Sequence, residues 1–107
     1  MGFENITVDG FKKLRELKPN LVLIDVRTAA ELESEGMIEG AKHIPLHAFA
    51  MRADELDSNA TTVIYCKAGG RSAQACSFIA NREFKELYNL QGGILDWVAK
   101  GNPVIRD

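Results

Sequence analysis

The sequence has 107 residues, of which 46% are hydrophobic and 26% are charged. This length and composition fit one globular domain over residues 1–107, and they exclude both a disordered chain and a second domain of useful size. Thirteen basic and fifteen acidic residues give a net charge of −2, which argues against a protein that coats nucleic acid or an anionic membrane.

The two cysteines, Cys66 and Cys76, are too few for a disulfide scaffold. No stretch of the sequence approaches the length of a transmembrane helix, and residues 1–7 lack the basic and apolar regions of a signal peptide. We therefore expect a reduced, cytoplasmic protein with neither nucleic acid nor a membrane as its partner.

The first part of the chain alternates between strand and helix patterns. Ile6 marks a first short strand, and an apolar stripe at helical spacing predicts a first helix after it. The residues of that stripe are Phe11, Leu14 and Leu17. The unbroken apolar run 21–24 predicts a strand covered on both faces. Thr28 and Glu31 have the spacing of a capping box, which predicts a second helix that ends near Gly36.

The same alternation continues to the end of the chain. Further strands are predicted at residues 43–44, 63–65 and 87–90. Three further helices are predicted: one after Pro45 that carries Phe49, Ala53 and Leu56, one at about residues 72–82, and a short one at residues 94–98. Strands and helices that alternate within one small domain predict an α/β fold, in which helices cover both faces of a parallel sheet.

The most informative segment joins the strand at 63–65 to the helix after it. Cys66 directly follows that strand, and the loop residues after it are Lys67, Ala68, Gly69, Gly70, Arg71 and Ser72. Parallel sheets bind ligands beyond the carboxyl ends of their strands, which is where Cys66 falls. Glycines let the backbone curl so that its amides and the helix N-terminus form an anion site. Such surroundings make a thiol more acidic, and Lys67 and Arg71 add positive charge at the rim.

A cysteine in this loop supports two kinds of chemistry. It can attack phosphorus or arsenic, as in a phosphatase or an arsenate reductase, or it can hold a sulfane sulfur as a persulfide. A tetrahedral oxyanion needs a wide ring of amides, whereas a single sulfur atom needs a narrower one. Four residues separate Cys66 from Arg71, one fewer than in the tyrosine phosphatase-like signature. The short loop therefore favours sulfur.

Four blocks of the sequence together carry a resemblance to a known family. The blocks are residues 23–27 with Glu31, residues 36–45, residues 66–72, and residues 90–94 with Trp97, Gly101 and Pro103. They resemble the rhodanese family of sulfurtransferases over essentially the whole chain. Met37 and Glu39 depart from the histidine and proline that the family often has at these two positions of the second block.

The resemblance implies a fold and an activity. The expected fold has three layers, with a five-stranded parallel sheet between helices, and the expected nucleophile is Cys66 in a six-residue loop. Residues 67–72 of that loop are implied to bind the substrate, with no metal and no organic cofactor. The implied activity moves a sulfane sulfur from a small anionic donor, such as thiosulfate, to cyanide or to the thiol of a small molecule or protein.

Other polar residues have a structural interpretation. The resemblance suggests that Asp25 and Arg27 brace neighbouring loops through hydrogen bonds and an ion pair. His43 and His47 are four residues apart, but a proline between them interrupts any helix, so we expect no zinc site. Cys76 shares a helical face with apolar residues, and we expect it to contribute packing.

Two rival functions remain open at this point. One is a phosphatase or arsenate reductase that uses the same cysteine, against which the short loop argues. The other is a non-enzymatic rhodanese-type module that binds a partner or senses redox state. The presence of Cys66 argues against this second rival, because a purely structural module does not need that thiol.

Overall fold

The computed structural model describes residues 2–106, which contain five strands and five α-helices. The strands are β1 (Glu4–Ile6), β2 (Val22–Asp25), β3 (Ala41–His43), β4 (Thr61–Tyr65) and β5 (Glu86–Leu90). The helices are α1 (Val8–Leu17), α2 (Ala29–Glu35), α3 (Leu46–Arg52), α4 (Gly70–Ile79) and α5 (Gly93–Ala99). Short 3₁₀ turns follow α3 at Ala53–Glu55 and α4 at Ala80–Arg82.

The strands form one sheet in the order β1–β5–β4–β2–β3, and every neighbouring pair is parallel. The predicted α/β fold with a five-stranded parallel sheet is thereby confirmed. Strand β4 occupies the middle of the sheet, with β5 and β2 on either side. Its carboxyl end, where Cys66 begins the loop, lies between the carboxyl ends of two paired strands.

Two apolar clusters hold helices against the two faces of the sheet. On one face Phe11 of α1 packs near Trp97 of α5, with ring centroids 5.8 Å apart. On the other face Phe49 of α3 and Ile79 of α4 pack with Ile64 of β4. Burial of side chains of this size stabilises the fold by roughly 1.5–3 kcal/mol each.

The second helix differs from the other four because it contributes no buried residue. Its start is fixed locally by the predicted capping box, in which the Glu31 amide donates to Thr28 Oγ1 and the Thr28 amide donates to Glu31 Oε1. It ends before Gly36, whose φ of +78° favours glycine. The polar side chains of α2 are therefore free to face the Cys66 loop.

Two predicted helix boundaries were wrong. Helix α4 begins at Gly70 rather than residue 72, because Gly69 adopts a left-handed conformation and starts the helix without a capping side chain. The helix predicted after Pro45 is α3, which begins at Leu46 as expected, but it gives way to a 3₁₀ turn at Ala53, and Leu56 lies beyond both. Within residues 2–106, none of the helices is long and apolar enough to cross a membrane.

Candidate active site

The thiol of Cys66 lies at the carboxyl end of the central strand. The residue is only 1% exposed, and its thiol is free. Two amides donate to the sulfur, that of Gly69 at 3.1 Å and that of Ser72 at 3.3 Å, and the Ser72 hydroxyl oxygen lies 3.3 Å from it, in a contact where either atom can be the donor. The sulfur thus occupies the place that a capping oxygen takes at the N-terminus of α4.

The loop makes this arrangement through one unusual backbone angle. Gly69 has a φ of +111°, a conformation that side chains other than glycine rarely adopt. Gly70 does not share this requirement, because a Cβ there would meet nothing within 4 Å. Of the amides predicted to ring the sulfur, from Lys67 to Ser72, those of Gly69 and Ser72 make hydrogen bonds to it.

Two opposing influences set the acidity of Cys66. Burial raises its pKa, because it removes the thiolate from water. Hydrogen bonds from Ser72, first from its hydroxyl and then from its amide, lower the pKa together with the amides of Gly69 and Ala68. The donors prevail, and the pKa lies below the ordinary value of a thiol. The site therefore favours a thiolate, which is the nucleophilic form of cysteine.

A buried asparagine, which the sequence analysis did not identify, connects the loop to the sheet. Asn89 of β5 accepts a hydrogen bond from Ser72 Oγ and donates through Nδ2 to Asn5 Oδ1 at 3.0 Å. The same Nδ2 lies 3.3 Å from the carbonyl oxygen of Gly69. The available signal was the amide side chain of Asn89 within the otherwise apolar stretch 87–90. These bonds fix the Ser72 hydroxyl beside the sulfur.

Helix α5 supports the first residues of the loop from the opposite side. The amide of Ile94 donates to the carbonyl of Cys66 at 3.0 Å, and the amide of Leu95 donates to the carbonyl of Lys67 at 3.1 Å. A Cβ at Gly93 would lie only 2.4 Å from the Cys66 carbonyl oxygen, so this close approach requires glycine. Gly93 lies within the fourth block of the family resemblance, and no role was predicted for it.

The two cationic side chains of the loop are each paired with a carboxylate of α2. Arg71 makes a bidentate ion pair with Glu31, with nitrogen–oxygen distances of 2.7 and 2.8 Å. The Arg71 hydrogen bonds hold the pKa of Glu31 at about 2, far below its ordinary value. Lys67 Nζ lies 3.4 Å from Glu35 Oε2. The positive rim predicted from the sequence is therefore largely offset by negative charge.

A buried ion pair braces the loop after β2, as predicted for Asp25 and Arg27. Both side chains are fully buried, and Arg27 Nη2 donates to Asp25 Oδ2 at 2.7 Å. The same nitrogen donates to the carbonyl of Gly36 at 2.7 Å. This bond connects the segment before α2 to the residue that follows it. The backbone amide and Nε of Arg27 also donate to Asp25. The pair therefore holds α2 in place beside the Cys66 loop.

The remaining candidate residues lie outside the loop. Cys76 is buried in α4, its Sγ is 3.6 Å from the carbonyl of Tyr88, and burial raises its pKa to about 12. Nε2 of His43 donates to the Arg27 carbonyl at 2.6 Å, whereas His47 is exposed on α3. No group of three or more His, Cys, Asp or Glu suited to a metal ion occurs among residues 2–106.

The fold and the site define an α/β domain with an acidic cysteine at the end of its central strand. The rhodanese-like domain family matches residues 7–100, and the chain belongs to that family. A protein of Allochromatium vinosum named sulfurtransferase is 37% identical over 86 residues, which cover 80% of this chain and 79% of that protein. The YtwF protein of Bacillus subtilis is 32% identical over 103 residues, or 96% of this chain and 98% of YtwF.

Solved structures agree with the fold. A rhodanese-related protein from Thermoplasma volcanium superimposes with a TM-score of 0.86 over 98% of this chain and 100% of that one, at 24% identity. A likeness at that identity shows the three-layer fold alone. Family membership and the relative named sulfurtransferase support sulfur transfer as the general class of activity.

Proposed function

We propose that this protein is a sulfurtransferase that carries a sulfane sulfur as a persulfide on Cys66. The observation that carries the proposal is the environment of the Cys66 sulfur, which receives hydrogen bonds from two amides of a short loop and lies beside the Ser72 hydroxyl. These donors stabilise a thiolate before reaction, and the same donors stabilise the negative charge of a persulfide. Neither histidine is needed as a base, because the amides lower the pKa of the Cys66 thiol and so favour the thiolate.

In the first half-reaction the Cys66 thiolate attacks the outer sulfur of a donor such as thiosulfate. The sulfur–sulfur bond of the donor breaks, and sulfite leaves with the bonding electron pair. A persulfide then remains on Cys66. Cys66 is 1% exposed, and the loop residues above it that face solvent are Lys67, Ala68 and Gly70, so a donor approaches the sulfur past these three residues.

In the second half-reaction an acceptor thiolate attacks the terminal sulfur of the persulfide. The acceptor becomes a persulfide, and the Cys66 thiolate is regenerated. The acceptor is the thiol of a small molecule or of a protein, and cyanide serves as an acceptor in the assay. Two successive covalent transfers of this kind give ping-pong kinetics.

The other loop residues have supporting roles in this proposal. Lys67 lies exposed at the rim, where Glu35 offsets its charge. Arg71 braces the loop through Glu31, and the backbone from Ala68 to Ser72 surrounds the sulfur. Ser72 contributes both its amide and its hydroxyl.

The decisive experiment is intact mass spectrometry after incubation with thiosulfate. We expect a gain of one sulfur atom on the wild type, no gain on Cys66→Ser, and loss of the added sulfur when a small thiol is supplied. An assay with a chromogenic phosphate ester is run in parallel. Ester hydrolysis without sulfur loading would replace the proposal with a phosphatase, and inactivity in both assays would favour a binding module.

A further inference from the structure

The two acidic side chains of α2 that face the active-site loop are one helical turn apart. Glu31 and Glu35 project to the same side of the helix, and each binds one cation of the loop. Glu31 holds both terminal nitrogens of Arg71, and Glu35 lies 3.4 Å from the Lys67 ammonium. The loop therefore has two cations and two carboxylates close to one another.

Glu35 is more firmly placed than a typical surface carboxylate. Its Oε1 lies 3.6 Å from Nη1 of Arg27, a fully buried nitrogen with no hydrogen-bond partner among residues 2–106. Arg27 is itself immobilised by Asp25 and by the carbonyl of Gly36. One oxygen of Glu35 thus faces a fixed buried cation while the other faces Lys67. This anchoring lowers the entropic cost that makes most exposed ion pairs weak.

The arrangement determines the charge that an incoming donor meets. The two ion pairs cancel in net charge, so neither Lys67 nor Arg71 presents an unpaired positive charge to an incoming donor. A donor with two negative charges, such as thiosulfate, gains little from this rim and is repelled by the Glu31 and Glu35 carboxylates that lie there. A persulfide donor, R–S–SH, carries at most one negative charge and experiences less repulsion.

We propose that Glu35 is a specificity-determining residue that holds the Lys67 ammonium and thereby favours persulfide donors over doubly charged ones. This inference rests on the proposed function. In the step it favours, the Cys66 thiolate attacks the terminal sulfur of R–S–SH, and the sulfur–sulfur bond of the donor breaks. The thiolate R–S⁻ leaves with the electron pair, and Cys66–S–SH forms. The atoms and electrons balance without any oxidant or reductant.

The test compares Glu35→Gln with Glu33→Gln, which removes the same charge from an exposed position of the same helix. Glu33 takes part in none of the ion pairs found among residues 2–106. The donors are thiosulfate and the persulfide of 2-mercaptoethanol, generated in place, and the readouts are KM and kcat for each. We expect Glu35→Gln to lower KM for thiosulfate by about two- to fivefold with kcat unchanged, the range expected from freeing one ion-paired ammonium.

For the persulfide we expect less than about a twofold change, and high salt should remove the gain with thiosulfate because exposed charges are screened. Glu33→Gln should leave both donors within about twofold of wild type, as expected for an exposed charge with no partner. Equal effects of the two glutamate variants, or equal effects on the two donors, would overturn the role of Glu35.

Replacement of Lys67 shows whether Glu35 acts through that ammonium. Lys67→Ala alone should change KM for thiosulfate by less than about twofold, because Glu35 already offsets the lysine. In the Glu35→Gln background the same replacement should cancel the gain. A gain that persists without Lys67 would overturn the proposal. The proposal would also be overturned if Lys67→Ala alone raised KM for thiosulfate by tenfold or more. This second test needs no change at Glu35.

Failure of this inference can be told apart from failure of the proposed function. If wild type loads sulfur on Cys66 but the glutamate variants behave alike, only the role of Glu35 is overturned. If wild type takes sulfur from neither thiosulfate nor the persulfide, the sulfurtransferase proposal falls and this inference falls with it.

Discussion

The two cysteines of the chain occupy neighbouring but opposite environments. Both belong to the same apolar cluster, and Cys66 and Cys76 are 1% and 0% exposed. Burial raises the pKa of Cys76 to about 12, whereas the pKa of Cys66 is lowered. The sulfur of Cys76 has the Tyr88 carbonyl, an acceptor, as its polar neighbour, while that of Cys66 is surrounded by donors. Burial does not decide the reactivity of a thiol; the polarity of the groups that face it does.

The largest effect expected from this comparison is a division of function between the two thiols. Cys66→Ser should reduce sulfur transfer to background, because the serine hydroxyl is not ionised at neutral pH. Cys76→Ser should retain most of the activity, and both variants should fold because little apolar volume is removed. The measurement is thiocyanate formation from thiosulfate and cyanide, with circular dichroism as the check on folding. Substantial turnover by Cys66→Ser would make another residue the nucleophile.

The next test lengthens the loop. A longer loop moves the hydrogen-bond donors away from Cys66 and leaves the surroundings of Cys76 unchanged. Insertion of one glycine between Ala68 and Gly69 should withdraw the Gly69 amide from its 3.1 Å contact with the sulfur. We expect sulfur transfer to be lost, whereas binding of vanadate, a tetrahedral oxyanion, should improve. Wild type should hydrolyse phosphate esters at no useful rate. An insertion variant that still transfers sulfur would show that loop length does not select the chemistry.

Gly69 and Gly70 are adjacent in the loop, and alanine substitutions at the two positions test how much the backbone conformation around Cys66 depends on glycine. Gly69→Ala should destabilise the fold by about 1–3 kcal/mol, because φ of +111° is strained for alanine. The displaced amide should also raise the Cys66 pKa, which ultraviolet absorbance of the thiolate follows. Gly70→Ala should be neutral or stabilising by up to about 1 kcal/mol, since alanine favours the helix. Equal melting temperatures for the two variants would contradict the role given to Gly69.

Replacement of Ser72 separates the contribution of its hydroxyl to the Cys66 pKa from the contribution of the backbone amides. Ser72→Ala removes a hydrogen bond that lowers the Cys66 pKa, so the pKa rises and less thiolate is present at neutral pH. Turnover at neutral pH should fall by up to about fivefold, as one hydrogen bond of about 1 kcal/mol implies, and should recover as the pH increases. Ser77→Ala, at an exposed position of the same helix, is the control. A pH profile with the same acidic limb as wild type would mean that the amides alone set the pKa.

Sequence patterns predicted the parts of this molecule that depend on local chemistry. The apolar runs identified β2 and β4 because central parallel strands are covered on both faces, and the capping box located the start of α2. The loop around Cys66 was recognisable because its donors, Gly69 and Ser72, lie within a few residues of the thiol. Local patterns therefore suffice wherever the interacting groups are close along the chain.

The missed features depend on contacts between distant residues. Asn89 reaches Ser72 only because β5 pairs with β4, and Gly93 supports Cys66 only because α5 packs against the loop. Glu35 meets Lys67 across 32 positions of sequence. The sequence predicted a positive rim from Lys67 and Arg71 but not their pairing with carboxylates, because net charge and residue spacing do not show which surfaces meet in the fold.

The last test concerns the ion pair that braces the Cys66 loop from α2. Because the pKa of Glu31 is about 2 in the folded state against an ordinary 4.5, the pair stabilises the fold above pH 4.5 and loses its contribution as pH falls towards 2. Glu31→Gln should therefore lower the free energy of unfolding at neutral pH by about 1–2 kcal/mol, less than the full pKa difference because the pair is partly solvated. The difference from wild type should narrow below pH 4.5, as urea titrations at several pH values would show. For Glu33→Gln, the difference in free energy of unfolding from wild type should not change with pH. If the difference for Glu31→Gln stays constant at acidic pH, the Glu31 side chain stabilises the fold by packing rather than by charge.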